Sequence, residues 1–296
     1  MKKLKSLTSD TNTVKIITII GGTGQMGQLF ARLWQQLGFI IHCVGSQDWQ
    51  KIPALIEQSD AVIVSVPIHY TVATILRIAP YLQSDTVLAD FTSIKNVPLN
   101  QMLQSHTGPI VGLHPMFGPT INSPQQQVIV YCHGRDQTDY QWLLDSLAEL
   151  QFSLKAMEAP AHDQAMNFIQ GIEHCLTFCL GSFLHHKQQA PDQLIEIASP
   201  IYLTKLLLLG RIFDQDPILY ADIIMADPQR IQLIREFSNW LSLWLDKIEN
   251  HDKQSFIDEF TKTSAWMGDF TNYAQTVSDT FLTLDLDSIC LKNTPS

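Results

Sequence analysis

Apolar residues follow two rhythms along this chain. Up to residue 156, short aliphatic runs alternate with segments of helical period; beyond Pro160 nearly every segment repeats at 3.6. The first run, Ile16-Ile17-Thr18-Ile19-Ile20, stops at a glycine cluster inside which a helical pattern (Met26, Phe30, Leu33, Leu37) begins. Further strands are predicted at 39–44, 61–66, 86–90, 110–112, 128–132 and 153–156, with helices at 53–58, 69–82, 95–104 and 138–150. The segment 61–66 is apolar on both faces, as a strand buried in a parallel sheet must be. This alternation specifies an α/β domain over residues 14–159, a doubly wound and mostly parallel sheet. From 160 to 288 the pattern predicts an all-α domain, with helices at 164–185, 201–213, 217–225, 229–249 and 253–267. Leu206 to Leu209, and the set Phe237, Trp240, Leu241 and Trp244, are too apolar for single helices in water. The helical domain is therefore read as packing on itself and against a second copy of the chain, the other reading being a monomeric bundle.

Composition sharpens this picture at three points. A chain of 296 residues, 45% hydrophobic and 16% charged, has material for two cores. Its net charge of −10 argues against nucleic acid or an anionic membrane as partner, and an anionic substrate needs a local cation. The five cysteines (Cys43, Cys132, Cys175, Cys179, Cys290) show neither disulfide nor zinc spacing, which points to a reducing compartment and to no metal. Residues 1–13 read as a polar tail without a cleavage site, and no stretch approaches 18 uninterrupted apolar residues. The expectation is a cytoplasmic protein.

The candidate chemistry lies in four loops. Gly22, Gly24 and Gly27 stand in G-x-G-x-x-G spacing between a strand and a helix. Gly22 is assigned the turn, Gly24 the close approach of a pyrophosphate and Gly27 close helix–strand packing, with Thr23, Gln25 and Met26 completing the loop. Ligands of such sheets sit outside the carboxyl ends of the strands. There the sequence offers Ser65-Val66-Pro67, then Thr92-Ser93-Ile94-Lys95, then His114 between Gly112, Pro115 and Gly118 in what reads as an irregular loop. An imidazole of ordinary pKa, ~6.5, suits proton abstraction from a hydroxyl while hydride leaves the same carbon; the alternative is a structural histidine. Ser93 is either a bond to that hydroxyl or a helix N-cap, and Lys95 either faces an anionic substrate or is a solvated cation. Beyond Pro160, His162 is a loop or catalytic residue, and His174 has the neighbours of a core histidine. Arg211 needs a carboxylate, from Asp214, Asp216 or a substrate.

Taken together, Gly22-x-Gly24-x-x-Gly27, Val64-Ser65-Val66-Pro67-Ile68, Ser93-Ile94-Lys95-Asn96, Gly112-Leu113-His114-Pro115-Met116-Phe117-Gly118 and His162-Asp163-Gln164 resemble the prephenate dehydrogenases. Ser199-Pro200-Ile201-Tyr202, Gly210-Arg211 and the segment 215–225 continue the resemblance, in particular to the dehydrogenase part of the bifunctional chorismate mutase–prephenate dehydrogenases. It implies a Rossmann domain followed by a helical dimerisation domain, and NAD-linked oxidative decarboxylation of prephenate to 4-hydroxyphenylpyruvate, on the route to tyrosine. It implies roles too. His114 takes the C4 hydroxyl proton, Ser93 bonds that hydroxyl and helps place His114, and Arg211, Lys95, His174 and His162 belong to substrate binding. His174 is linked to tyrosine feedback, and Ser65, Pro67 and Thr92 join the glycine loop at the cofactor.

Three departures qualify the resemblance. Only the polar tail precedes the first strand, so no mutase activity is expected. Leu203 stands where such proteins have arginine, which bears on substrate affinity or tyrosine inhibition. Gly45 stands where an acid usually holds the ribose 2′-OH; Asp48 replaces it only if the loop folds back, so NAD is expected and NADP is not excluded. Alternatives are a 4-amino-4-deoxyprephenate or arogenate dehydrogenase and, more remotely, a non-catalytic NAD-binding regulatory dimer that would dispense with His114, Ser93 and Arg211.

Overall fold

Strands β1 (Ile16–Ile20), β2 (Ile40–Val44), β3 (Ala61–Val64), β4 (Val87–Asp90), β5 (Ile110–Pro115), β6 (Val128–Arg135) and β7 (Ser153–Ala156) form one sheet in the order β2-β1-β3-β4-β5-β6-β7. The computed structural model describes residues 14–282; the tail 1–13, residues 283–288 of the expected helical domain and Cys290 lie outside the described residues. Between the strands run α1 (Gln25–Gln36), α2 (Ile52–Glu57), α3 (Ile68–Ile78), α4 (Asn96–Ser105) and α5 (Gln137–Glu149), and α6 (Ala159–Met166) follows β7.

Alternation within the strands decides the layering, because successive side chains point to opposite faces. Ile17, Ile19, Ile63, Ala89 and Val111 meet Phe30 and Trp34 of α1 and Tyr140 and Leu147 of α5 on one face. Ile20, Val62, Val64 and Leu88 meet Ile56, Ile75, Ile78 and Met102 of α2, α3 and α4 on the other. Each such aliphatic, fully buried, contributes about 1.5–3 kcal/mol.

Every strand pair is parallel except β5 with β6. A parallel return requires a crossover, usually a helix. The connection 116–127 contains Pro119 and Pro124 and no helical repeat, so the chain turns straight back. That pairing also lengthens β5: Leu113 lies opposite Tyr131, and His114 opposite Val130. His114 is therefore a strand residue, not part of an irregular loop, and the strand read at 110–112 ends three residues later.

The chain divides into two compact units, the first ending at Asn167 and the second beginning at Phe168. α6, with His162, belongs to the first. The helix read over 164–185 is interrupted by a six-residue π-helical segment, Asn167–Ile172, before α7 (Glu173–His186). There follow α8 (Pro191–Ile195), α9 (Pro200–Phe213), α10 (Pro217–Met225), α11 (Pro228–Glu249), α12 (Lys253–Met267) and α13 (Phe270–Leu282). Ser199, Asp216, Asp227 and Asp252 cap α9 to α12, three of which begin with proline. In the second unit large apolar side chains stay exposed, among them Leu208, Trp240, Leu241, Phe260 and Trp266. Among the described residues no helix is long and apolar enough to cross a membrane.

Candidate active site

The glycine loop closes the end of β1 against β2. Gly21, with φ of +88°, makes the turn that the sequence reading assigned to Gly22. The N–H groups of Gly21 and Gly22 donate to the Val44 carbonyl at 2.8 and 3.1 Å. Gly22 serves close packing instead: a Cβ there would lie 2.7 Å from Cys43 Cα, and one on Gly27 would lie 2.6 Å from Gly22 Cα. Gly24 precedes α1, which has no side-chain cap and no acid in its first turn, leaving a helix terminus suited to an anion. Thr23, Gly24 and Gln25 are exposed, whereas Met26 packs on the core and Gly27 is buried. Above the switch point between β1 and β3 lies a cleft of about 540 Å³, whose walls include Thr23, Gly24, Gly45, Ser65, Pro67 and Arg77.

Strand register extends this edge toward His114. Val64, Asp90 and Gly112 are aligned across β3, β4 and β5. The residues just beyond them, Ser65 to Pro67, Thr92 and His114, thus stand in one row along the carboxyl edge. At ~4.8 Å per strand the row from β3 to β5 spans about 10 Å. Thr92 is buried; its hydroxyl donates to Thr71 at 3.3 Å and its N–H to Asp90 at 3.0 Å.

His114 is only 2% exposed, and its Nδ1 lies 2.8 Å from Nε2 of the buried His162. Nδ1 of His162 lies 2.8 Å from Oδ1 of Asp163. The same carboxylate accepts the N–H groups of Lys95 at 2.7 Å and Asn96 at 2.9 Å. Burial opposes ionisation of Asp163, but the bonds from His162 and the two backbone N–H groups outweigh it and hold its carboxyl below the usual range. An ionised carboxylate only accepts, so His162 carries its proton on Nδ1. Its Nε2 then accepts from Nδ1–H of His114, and Nε2 of His114 is the ring nitrogen without that proton. This tautomer follows from the bonding partners.

Two neighbouring expectations need correction. Ser93 is half-buried in the bend between β4 and α4, and it does not cap α4; Asp163 does, from α6. Lys95 is not the solvated cation of the second reading. It is fully buried, with its ammonium on the Asp90 carboxylate and, at 2.8 Å, on the Leu113 carbonyl. Asp163 and Asp90 are the site residues that sequence reasoning passed over. Asp163 adjoins His162 in a quoted motif, and an acid beside a histidine was the available signal.

Residues 41–151 match the family model described as prephenate dehydrogenase, nucleotide-binding domain, and residues 158–262 the one described as prephenate dehydrogenase, dimerization domain. The chain is 41% identical to the T-protein of Enterobacter agglomerans over 253 residues, 86% of this chain and 68% of that protein. It is 40% identical to the T-protein of Haemophilus influenzae, over 90% of this chain and 70% of that one. The chain belongs to the prephenate dehydrogenase family. Its fold agrees: prephenate dehydrogenase from A. aeolicus, solved in complex with hydroxyphenyl propionate and NAD+, superposes with a TM-score of 0.67 at 17% identity, covering 88% of this chain and all of that one.

In this chain the nucleotide-binding match contains His114, and the dimerization match contains His162, Asp163, His174 and Arg211. Within the second unit, the half-buried His174 ring lies 5.0 Å from the Tyr220 ring, and burial pushes its pKa down. Burial pushes the Tyr220 phenol up, with the Arg211 charge opposing it. Arg211 itself is exposed and forms no ion pair with Asp214 or Asp216, the latter capping α10. Leu203 is buried in α9, where an unpaired guanidinium would be costly.

Proposed function

We propose that this dehydrogenase oxidises prephenate to 4-hydroxyphenylpyruvate with NAD, using His114 as the base. The observation that carries the reading is the His114–His162–Asp163 chain at the carboxyl edge of the sheet, in the row that begins at the nucleotide cleft. The residues present suit a dinucleotide. Gly24 opens the backbone toward a pyrophosphate, the first turn of α1 carries no acid, and the cleft runs from this loop to Gly45 and Arg77. NAD is also the cofactor in the solved A. aeolicus complex. When bound, it supplies the hydride acceptor.

The protein's own part is proton handling and placement. Nε2 of His114 takes the proton of the C4 hydroxyl as the C4–H electron pair leaves. His162, anchored by ionised Asp163, stabilises the imidazolium through its lone pair and holds the ring in one orientation. Breaking the bond from C1 to the carboxylate then releases CO2, and its electron pair completes the aromatic ring, leaving the former hydroxyl oxygen as phenolate. His114 returns its proton to that oxygen, so the base ends the cycle neutral. Ser93 is proposed as a bond to the same hydroxyl, and Arg211, which pairs with no acid among the described residues, as the cation for a substrate carboxylate. His174, whose ring lies against that of Tyr220, is proposed to act with Arg211. The exposed apolar faces and the dimerization-domain match support a homodimer, and the compartment proposed is the cytoplasm.

A second reading, oxidation of 4-amino-4-deoxyprephenate or of arogenate, draws on Leu203, which places an aliphatic side chain where the resemblance implies a guanidinium. Purified protein assayed for NADH with prephenate, arogenate and 4-amino-4-deoxyprephenate decides between them. The first reading expects the highest kcat/KM for prephenate. A preference of about 10-fold or more for either amino compound contradicts it and supports the second.

A further inference from the structure

We propose that the adenosine end of the cleft accepts a 2′-phosphate, so that this chain uses NADP as well as NAD, with Arg77 as the cation that meets the phosphate. The inference rests on the nucleotide reading above and concerns which dinucleotide the site admits.

Three observations carry it. First, discrimination against a 2′-phosphate normally comes from a carboxylate at the end of the second strand. Here β2 ends in Val44, followed by Gly45 and Ser46, and a Cβ on Gly45 would fall 2.9 Å from Thr23 Oγ1 and 3.0 Å from its methyl carbon. The Thr23 side chain fills the space an acid at 45 would need, putting a neutral hydroxyl there. Second, the loop does fold back and bring Asp48 near, but both carboxylate oxygens are engaged. One accepts the Gly45 N–H at 3.2 Å and the other the Lys51 ammonium at 2.9 Å, and these bonds, Lys51 first, hold its carboxyl below the usual range. Asp48 is not among the residues lining the cleft. Third, among those lining residues Arg77 is the one charged group. Its guanidinium lies over the Trp49 ring, 3.6 Å from the centroid, and among the described residues no carboxylate pairs with it. Stacking fixes the plane of the fork and leaves its N–H edge for a phosphate. In a protein of net charge −10, this end of the cleft is neutral or cationic.

The test is binding of ADP-ribose and of 2′-phospho-ADP-ribose to the full chain, followed calorimetrically, for wild type, Arg77→Leu and the double variant Thr23→Gly/Gly45→Asp. The expected result is wild-type affinities for the two ligands within about 10-fold of each other. Arg77→Leu should reduce affinity for the phosphorylated ligand relative to ADP-ribose by about 10- to 100-fold. The double variant should shift the same ratio the same way by restoring an acid. Wild type binding ADP-ribose but taking the phosphorylated ligand more than about 100-fold more weakly overturns the proposal. So does an Arg77→Leu variant that weakens both ligands equally, since Arg77 would then hold a part common to both. Failure of both ligands to bind wild type contradicts the nucleotide reading itself, a separate outcome.

Discussion

A lysine ammonium with no exposed atom persists in a protein interior only beside an opposite charge, and Lys95 has one in Asp90, itself fully buried. The pair joins the end of β4 to the Leu113 carbonyl, one residue before His114, so it fixes the strand that carries the base. Removing one partner strands the other charge. Lys95→Met should therefore cost about 3–5 kcal/mol of unfolding free energy, and Asp90→Asn/Lys95→Met should recover most of it. Urea denaturation of the two variants measures this, and a single variant as stable as wild type would refute the assignment. A lone lysine in the first turn of a predicted helix looks solvated, and only the bend that brings Asp90 onto its ammonium buries it.

At the scale of elements, Asp163 ties α6 to α4 by capping the N–H groups of Lys95 and Asn96 while bonding His162. Asp163→Asn keeps the shape and removes the charge, and loss of the cap should cost about 1–2 kcal/mol at neutral pH. The sign of the pH dependence follows from the lowered pKa of Asp163. The folded value lies below the unfolded one, ~3.9, so the stabilisation is complete above that pH and is lost as pH falls through the folded value. Thermal unfolding of wild type and variant should differ at pH 7, and the gap should begin to narrow only below ~3.9 and close as pH falls through the folded value; a gap that stays constant through the acid range contradicts the role.

For the whole molecule, the layered α/β unit and the helical unit were legible because their evidence is periodic: aliphatic runs at 16–20 and 61–64, helical repeats beyond Pro160. The glycine loop was legible as local chemistry, although the left-handed position is Gly21 and not Gly22. The antiparallel return of β6, the placement of His114 in a strand and the capping of α4 by Asp163 were not, since each depends on segments distant in sequence coming together, while the pairing of Asp90 with Lys95, five residues on, depends on the bend between β4 and α4. The exposed apolar faces of the helical unit require cover, and sedimentation equilibrium is expected to give twice the chain mass of 33.5 kDa; a monomer at micromolar concentration would contradict this. The proposed reaction depends on the imidazole of His114 in β5 taking a proton. Its most direct test is NADH formation from NAD and prephenate by wild type and His114→Asn at saturating substrate. The predicted result is a fall in kcat of about 10²- to 10⁴-fold with NAD binding retained; equal rates would contradict it.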